Sequence, residues 1–165
     1  MDGLSFEDFV SREQAALLRL AVLLAGDRGH AEDLVQTALL KSYRHWGRVT
    51  CTGDPTAYVR RVLVTSHTSW RRRLSTTEQV VEQLPDRAAP PATEDDEELR
   101  AALRALPPRM RTAVVLRYYA DLSEQQTAAA MGCSASTVNT QTARGLARLR
   151  ELLSPPAYAA REERA

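Results

Sequence analysis

At 165 residues the chain has room for one ordinary domain or two small ones, and 44% hydrophobic residues supply ample core material. No apolar run approaches the roughly 20 residues of a membrane span, and the start MDGLSFEDF lacks the features of a secretory leader, so a cytoplasmic protein is expected. The net charge of +1 conceals +3 over residues 1–75, −7 over 76–98 and +5 over 99–165, a pattern that suggests two nucleic-acid-facing modules around an acidic connector.

The first half reads as all helical. Phe6, Phe9 and Val10 open an amphipathic segment, which continues over 16–24 with Leu17, Leu20, Ala21 and Leu24 on one face. Gly26 and Asp27 end it. A further helix is expected from 30 to about 46, burying Ala31, Leu34, Ala38 and Tyr43. Its other stripe is Asp33, Gln36, Leu40 and Arg44. One leucine among polar groups fits a protein-docking surface and a solvated face equally well. Residues 47–55 read as a loop. Pro55 then starts the longest helix of this half, PTAYVRRVLVTSHTSWRRR, with proline in its first turn. Val59, Leu63, Ser66 and Trp70, with Val62 beside them, form the inward stripe, and Arg61, Thr65, Thr68 and Arg72 the outward one. Arginines and a histidine among aromatics favour a nucleic-acid face over a mere preference of cations for the helix C-terminus.

Residues 75–96 change character. Pro85, Pro90 and Pro91 forbid a continuous helix and the acid run repels itself, so the stretch reads as a flexible tether whose acids cap a helix over 99–106. Residues 109–119 are expected as a helix with Met110, Ala113, Val114 and Tyr118 inward. In LSEQQTAAAMGCSASTVNTQTARGLARLR, residues 122–150, Ser123 and Gln126 form a capping box, so a helix begins at Glu124 and buries Thr127, Ala128 and Met131. Gly132 breaks it. Ser134 caps a second helix with the apolar stripe Val138, Thr142, Leu146, Leu149 and Leu153, and Val138 inserts between the pair in helix-turn-helix fashion. The opposite side carries Ser136, Thr137, Thr140 and Gln141, suited to base edges in a major groove, then Arg144 and Arg148, suited to phosphates. The last stretch, SPPAYAAREERA, reads as a frayed tail.

Convergent acid, base or nucleophile groups are missing. His30, His45 and His67 sit on three different segments without paired carboxylates, and there is no glycine-rich phosphate loop, HExxH or CxxC. Neither catalysis, a cofactor nor a metal is expected. Cys51 and Cys133 lack a metal-ligand spacing and read as free small residues in a reducing compartment.

These parts, in this order and at this spacing, resemble the extracytoplasmic-function sigma factors of the sigma-70 family, most of all the short SigE-like actinobacterial members, over almost the whole chain. GDRGHAEDLVQTALLKSYRHW is similar to the family's region 2.2, AYVRRVLVTSHTSWRRR to its -10 recognition helix, and LPPRMRTAVVLRYYADLSEQQTAAAMGCSASTVNTQTARGLARLR to region 4. The resemblance implies an all-α fold of two small helical domains joined by a flexible acidic linker: region 2 over 1–74, the linker over 75–96, a winged-helix-like helix-turn-helix region 4 over 97–153, and a disordered tail over 154–165. The implied partners are core RNA polymerase, at the clamp of the largest catalytic subunit and the flap of the second largest, and promoter DNA, with room for an anti-sigma factor and no membrane role.

Carried over by position, Asp33 and Gln36 match the pair that docks the clamp, and Leu40 shares their stripe. Arg61, Thr65, Thr68 and Arg72 fall where the family grips the -10 element, and the stretch 49–54 falls where it pockets a flipped base. Ser136, Thr137, Asn139, Thr140, Gln141, Arg144 and Arg148 fall on the helix that enters the -35 major groove. Trp46, Tyr58 and Trp70 are core residues or stacking platforms, with core favoured for Trp70. Thr65 stands where an asparagine is usual and Asn139 where a lysine is common. The competing expectation is a stand-alone helix-turn-helix regulator that dimerises on a palindrome; the lack of coiled-coil heptads and of a ligand domain counts against it.

Overall fold

The computed structural model describes residues 3–76 and 94–153, and every regular element among them is helical. Helix α1 (Phe6–Ala25) starts where the Ser5 hydroxyl accepts from the Asp8 amide at 3.1 Å, with Glu7 and Asp8 in the first turn where the helix dipole favours acids. It ends at Gly26, whose φ of 75° lies in the region open to glycine, and whose amide closes onto the Val22 carbonyl. Asp27 then caps α2 (Arg28–Tyr43) by accepting from the His30 amide at 2.8 Å, so α2 lies earlier at both ends than its periodicity predicts.

Most of the predicted loop is a helix, α3 (Trp46–Thr52). Nothing in WGRVTCT breaks a helix before Gly53, the Thr50 and Thr52 hydroxyls bond back to the Trp46 and Arg48 carbonyls, and Val49 is buried, so packing overrides a weak turn signal. Helix α4 (Pro55–Thr76) starts on the predicted proline, with the Asp54 carboxylate accepting from the Thr56 amide at 2.9 Å. The core of this first unit forms where α1, α2 and α4 meet, around Phe9, Leu17, Leu24, Ala38, Val59 and Leu63. Tyr43, expected inside, is 57% exposed. Ser42 takes the inward position instead, because its hydroxyl bonds to the Ala38 carbonyl at 2.8 Å and so enters the core with its hydrogen already paired.

In the second unit α5 (Glu94–Ala105) begins earlier than predicted. The acid run forms its first turns rather than only preceding them, and Glu97 pairs with Arg104 at 2.9 Å. Helix α6 (Pro108–Val114) passes into a π-helical turn, Val115–Tyr119, closed by the Ala120 amide onto the Val115 carbonyl at 3.0 Å. The wider turn shifts the register of its own side chains, and Tyr118, expected inside, is 66% exposed.

Helices α7 (Glu124–Met131) and α8 (Ala135–Leu153) form the helix-turn-helix. Both halves of the capping box are made: the Gln126 amide donates to the Ser123 hydroxyl at 3.1 Å and the Ser123 amide to the Gln126 side-chain carbonyl at 2.9 Å. Gly132 turns the chain at a φ of 65°, and Thr127, Ala128, Met131, Val138, Thr142 and Leu149 are buried as expected.

Gly145 has a role that no local pattern announced. A methyl group there would lie 2.6 Å from Val114 Cγ2 and 3.3 Å from the Met110 carbonyl, so α8 packs on α6 at a point where only glycine fits. Gly145→Ala is expected to lower the stability of this unit by about 1 kcal/mol, the overpacking exceeding the gain in helix propensity. A lower urea midpoint at unchanged slope would register it.

No strand occurs among the described residues, so a winged form of the motif finds no support in them, and none of their helices is long and apolar enough to cross a membrane. The expected tether falls largely on residues 77–93 and the expected tail on 154–165, both outside the described residues.

Candidate functional site

Asp33, Gln36 and Leu40 all reach the surface of α2, because Ala31, Leu34, Val35, Ala38 and Leu39 take its inward side. Leu40 is 57% exposed, an apolar side chain between polar neighbours. Tyr43 continues the stripe one step further, with its ring 5.0 Å from that of Phe6. The spacing Gln36, Leu40, Tyr43 carried this signal in the sequence; assigning an aromatic to the core by type obscured it.

On α4, Arg61, Thr65 and Arg72 are exposed and Thr68 is half-buried, along one stripe at i, i+4, i+7 and i+11. The Arg61 guanidinium lies 5.8 Å from the centre of the Tyr58 ring, a cation–π arrangement. Both threonine hydroxyls turn inward to their own helix: Thr65 donates to the Arg61 carbonyl at 2.7 Å and Thr68 to the Val64 carbonyl at 3.0 Å.

The two tryptophans are packed. Trp70 stacks on His30 of α2 with ring centres 3.6 Å apart, and His67 lies 6.3 Å away. Trp46 is held by Phe6, Phe9 and a hydrogen bond from its indole to the Leu4 carbonyl at 3.0 Å. Tyr58 is therefore the aromatic that accompanies the arginine stripe. Two histidines that the sequence sets on separate segments thus come together around Trp70. Burial lowers the pKa of His30 below its usual value, opposed by the nearby Asp27 and Asp33 carboxylates and reinforced by Arg71. Burial also lowers the pKa of Arg71. The stretch 49–54, expected as a loop, is mostly helical: Val49 is buried, α3 runs to Thr52, and only Gly53 and Asp54 lie outside a helix, both exposed.

On α8, Ser136, Asn139, Thr140, Arg144 and Arg148 are exposed and Thr137 and Gln141 half-buried. Local hydrogen bonds separate their roles. Thr137 belongs to the cap, its amide 3.1 Å and its hydroxyl 2.9 Å from the Ser134 hydroxyl. Thr140 donates to the Ser136 carbonyl at 3.1 Å, and Asn139 to the Glu124 carboxylate at 3.3 Å, joining α8 to the start of α7. Arg148 pairs with Glu151 at 2.9 Å; such an exposed pair is weak and can exchange its acid for a phosphate. Among the described residues no group of His, Cys, Asp and Glu could hold a metal ion, and Cys51 and Cys133 are free thiols.

These surfaces can be set beside known proteins. The chain matches the family model of sigma-70 region 2 over residues 9–77 and that of sigma-70 region 4 over residues 96–149. It is 42% identical over 153 residues to the RNA polymerase sigma-E factor of Streptomyces avermitilis, spanning 91% of this chain and 86% of that protein. It is 29% identical over 162 residues to the ECF RNA polymerase sigma factor SigE of Mycolicibacterium smegmatis, spanning 91% of this chain and 62% of that one. Among solved structures it resembles the sigma factor RpoE in complex with the anti-sigma factor NepR from Bartonella quintana, with a TM-score of 0.71, 25% identity, and coverage of 92% of this chain and 98% of that one. With both family regions present in series and 42% identity over nearly its whole length, the chain belongs to the extracytoplasmic-function group of the sigma-70 family of RNA polymerase sigma factors.

Proposed function

We propose that the chain directs transcription initiation by binding rather than by making bonds, through three surfaces that each take a different partner. Asp33, Gln36 and Leu40 dock core RNA polymerase at the clamp of its largest catalytic subunit. Leu40 and Tyr43 supply apolar area, and Asp33 supplies the charge that sets register. Arg61, Thr65, Thr68 and Arg72 grip the -10 element. The arginines hold phosphates, and Tyr58 offers a ring to an unpaired base, which offsets the few kcal/mol that unstacking costs. Helix α8 enters the -35 major groove with Ser136, Asn139, Thr140 and Gln141 toward base edges, Thr137 holding the capped first turn that meets the DNA, and Arg144 and Arg148 toward phosphates. The same unit meets the flap of the second-largest subunit.

On this reading region 2 extends through α4, region 4 begins with α5, and the tether is the stretch between those two helices, shorter at both ends than the expected 75–96. Two DNA-contacting units on one chain raise each other's effective concentration, so neither needs high affinity alone. The protein acts in the cytoplasm. An anti-sigma factor controls it, as a partner of the kind crystallised with the Bartonella quintana sigma factor.

The observation that carries the proposal is that two helices of one unit present outward stripes of different chemistry, acidic and apolar on α2, arginine and threonine on α4. The chain mixed with core RNA polymerase and a promoter library is expected to yield specific run-off transcripts. None under conditions where an established sigma factor works, or tight binding of a palindrome by a dimer without polymerase, overturns it in favour of a stand-alone regulator. A narrower expectation concerns Arg144→Ala. If Arg144 contacts a phosphate, the substitution weakens -35 binding uniformly across sequences and reduces the slope of log affinity against log salt by about one. A loss that depends on the base sequence would make Arg144 a base reader instead.

A further inference from the structure

We infer that Thr65 reads the 5-methyl group of thymine in the promoter strand laid along α4, so that one thymine of the -10 element contributes to which promoters the protein prefers. The inference rests on the proposed role of the α4 face in gripping that element. Both hydroxyls of the stripe are already engaged: Thr65 Oγ1 donates to the Arg61 carbonyl at 2.7 Å and Thr68 Oγ1 to the Val64 carbonyl at 3.0 Å. A threonine bonded back to the carbonyl four residues earlier turns its hydroxyl onto its own helix and leaves its methyl as the outward group. Thr65 is exposed, and Thr68, one turn on, is half-buried beside it.

The stripe is therefore apolar at its centre and cationic at its ends, where Arg61 and Arg72 lie exposed and the Arg61 guanidinium sits 5.8 Å from the Tyr58 ring. The arginines bring the strand to the helix through its phosphates and carry no sequence information in doing so. Selection must then come from what lies between them. A hydroxyl whose hydrogen is already engaged cannot donate to a base and keeps only a lone pair for an exocyclic amine, whereas the methyl beside it can pack on another methyl. Thymine alone among the bases carries one, at C5. An amide in place of Thr65 would offer a donor and an acceptor instead, and a different base choice.

The test uses holoenzyme assembled from core polymerase and the full chain, with a promoter recovered from the run-off library. Each thymine of the non-template -10 strand is replaced in turn by 2′-deoxyuridine, which pairs identically but lacks the methyl group. Open-complex formation is expected to fall about fourfold at one position, the effect of losing one buried methyl. Thr65→Ser keeps the hydroxyl and its bond to Arg61 but removes the methyl; it is expected to lower activity on the thymine promoter by the same factor and to be indifferent to uracil. Thr65→Val keeps the branched apolar surface without the hydroxyl and is expected to retain the discrimination. Three outcomes overturn the inference: full discrimination in Thr65→Ser, no discrimination at any thymine by the unsubstituted protein, or a -10 element without thymine. If Arg61→Ala and Arg72→Ala still weaken open-complex formation in those cases, the α4 reading stands and only the thymine reading falls. If neither arginine matters, the α4 reading itself fails.

Discussion

Asp33→Arg is expected to weaken binding to core RNA polymerase on the order of 100-fold while leaving the fold unchanged, because reversing one charge in a complementary, desolvated interface costs about 2–5 kcal/mol. Asp33 is exposed and lies outside the core, so its effect on stability should stay within about 0.5 kcal/mol, the ordinary range for a surface site. Its carboxylate does act on His30, whose pKa it raises against the lowering caused by burial. Removing the acid takes away one of the influences that raise this pKa, so its shift stays in the direction set by burial. Co-elution with core polymerase, alongside an unchanged melting curve, checks both halves of the expectation. Leu40→Ala should give a smaller loss of about tenfold, since it removes apolar area without placing a repulsive charge. Undiminished binding by Asp33→Arg would move the docking surface away from α2.

Val138→Asp should have the second large effect, unfolding the helix-turn-helix and with it any use of the -35 element. Val138 is fully buried in α8, whose amide there already closes onto the Ser134 carbonyl at 3.1 Å. An unpaired carboxylate at such a position costs several kcal/mol. A unit of this size has only about 0.05–0.15 kcal/mol per residue to lose. The expected result is loss of part of the helical circular dichroism, rapid proteolysis within residues 94–153, and retained binding to core polymerase through α2. Ser136→Asp supplies the contrast: it sits on the same helix but is exposed, so the fold should survive while DNA binding falls. A folded Val138→Asp protein would mean that α7 and α8 are held together by something other than Val138.

What could be read directly from the sequence was whatever is settled within three or four residues. Gly26, Pro55, the Ser123–Gln126 box, Gly132 and Ser134 each act through a dihedral or a hydrogen bond to the adjacent turn, and each stands where the pattern put it. The outward stripes on α2, α4 and α8 were legible for a related reason, since helical periodicity alone brings residues three and four apart onto one face. The resemblance then named partners for stripes whose chemistry was already visible.

The rest depended on contacts between residues far apart in the chain. Helix α3 forms because Val49 has a core to enter, and Trp46 lies against Phe6 and Phe9 from a helix some forty positions earlier. The π-helical turn that exposes Tyr118 obeys no local signal. Arg111 is buried, with its guanidinium donating to the Arg104 carbonyl at 3.4 Å near the end of α5. The stack of His30 on Trp70 and the glycine crossing at Gly145 are likewise invisible until α2 meets α4 and α6 meets α8. Capping and periodicity are local, so the amino-acid order was enough to find every helix except α3, to place several of their starts, and to say which faces most of them turn outward. Which of those outward groups are still available to a partner is decided only in the folded chain. Thr65 and Thr68 show why: a hydroxyl that residue type alone counts as a reader of bases is already bonded to its own helix, and the methyl is what remains.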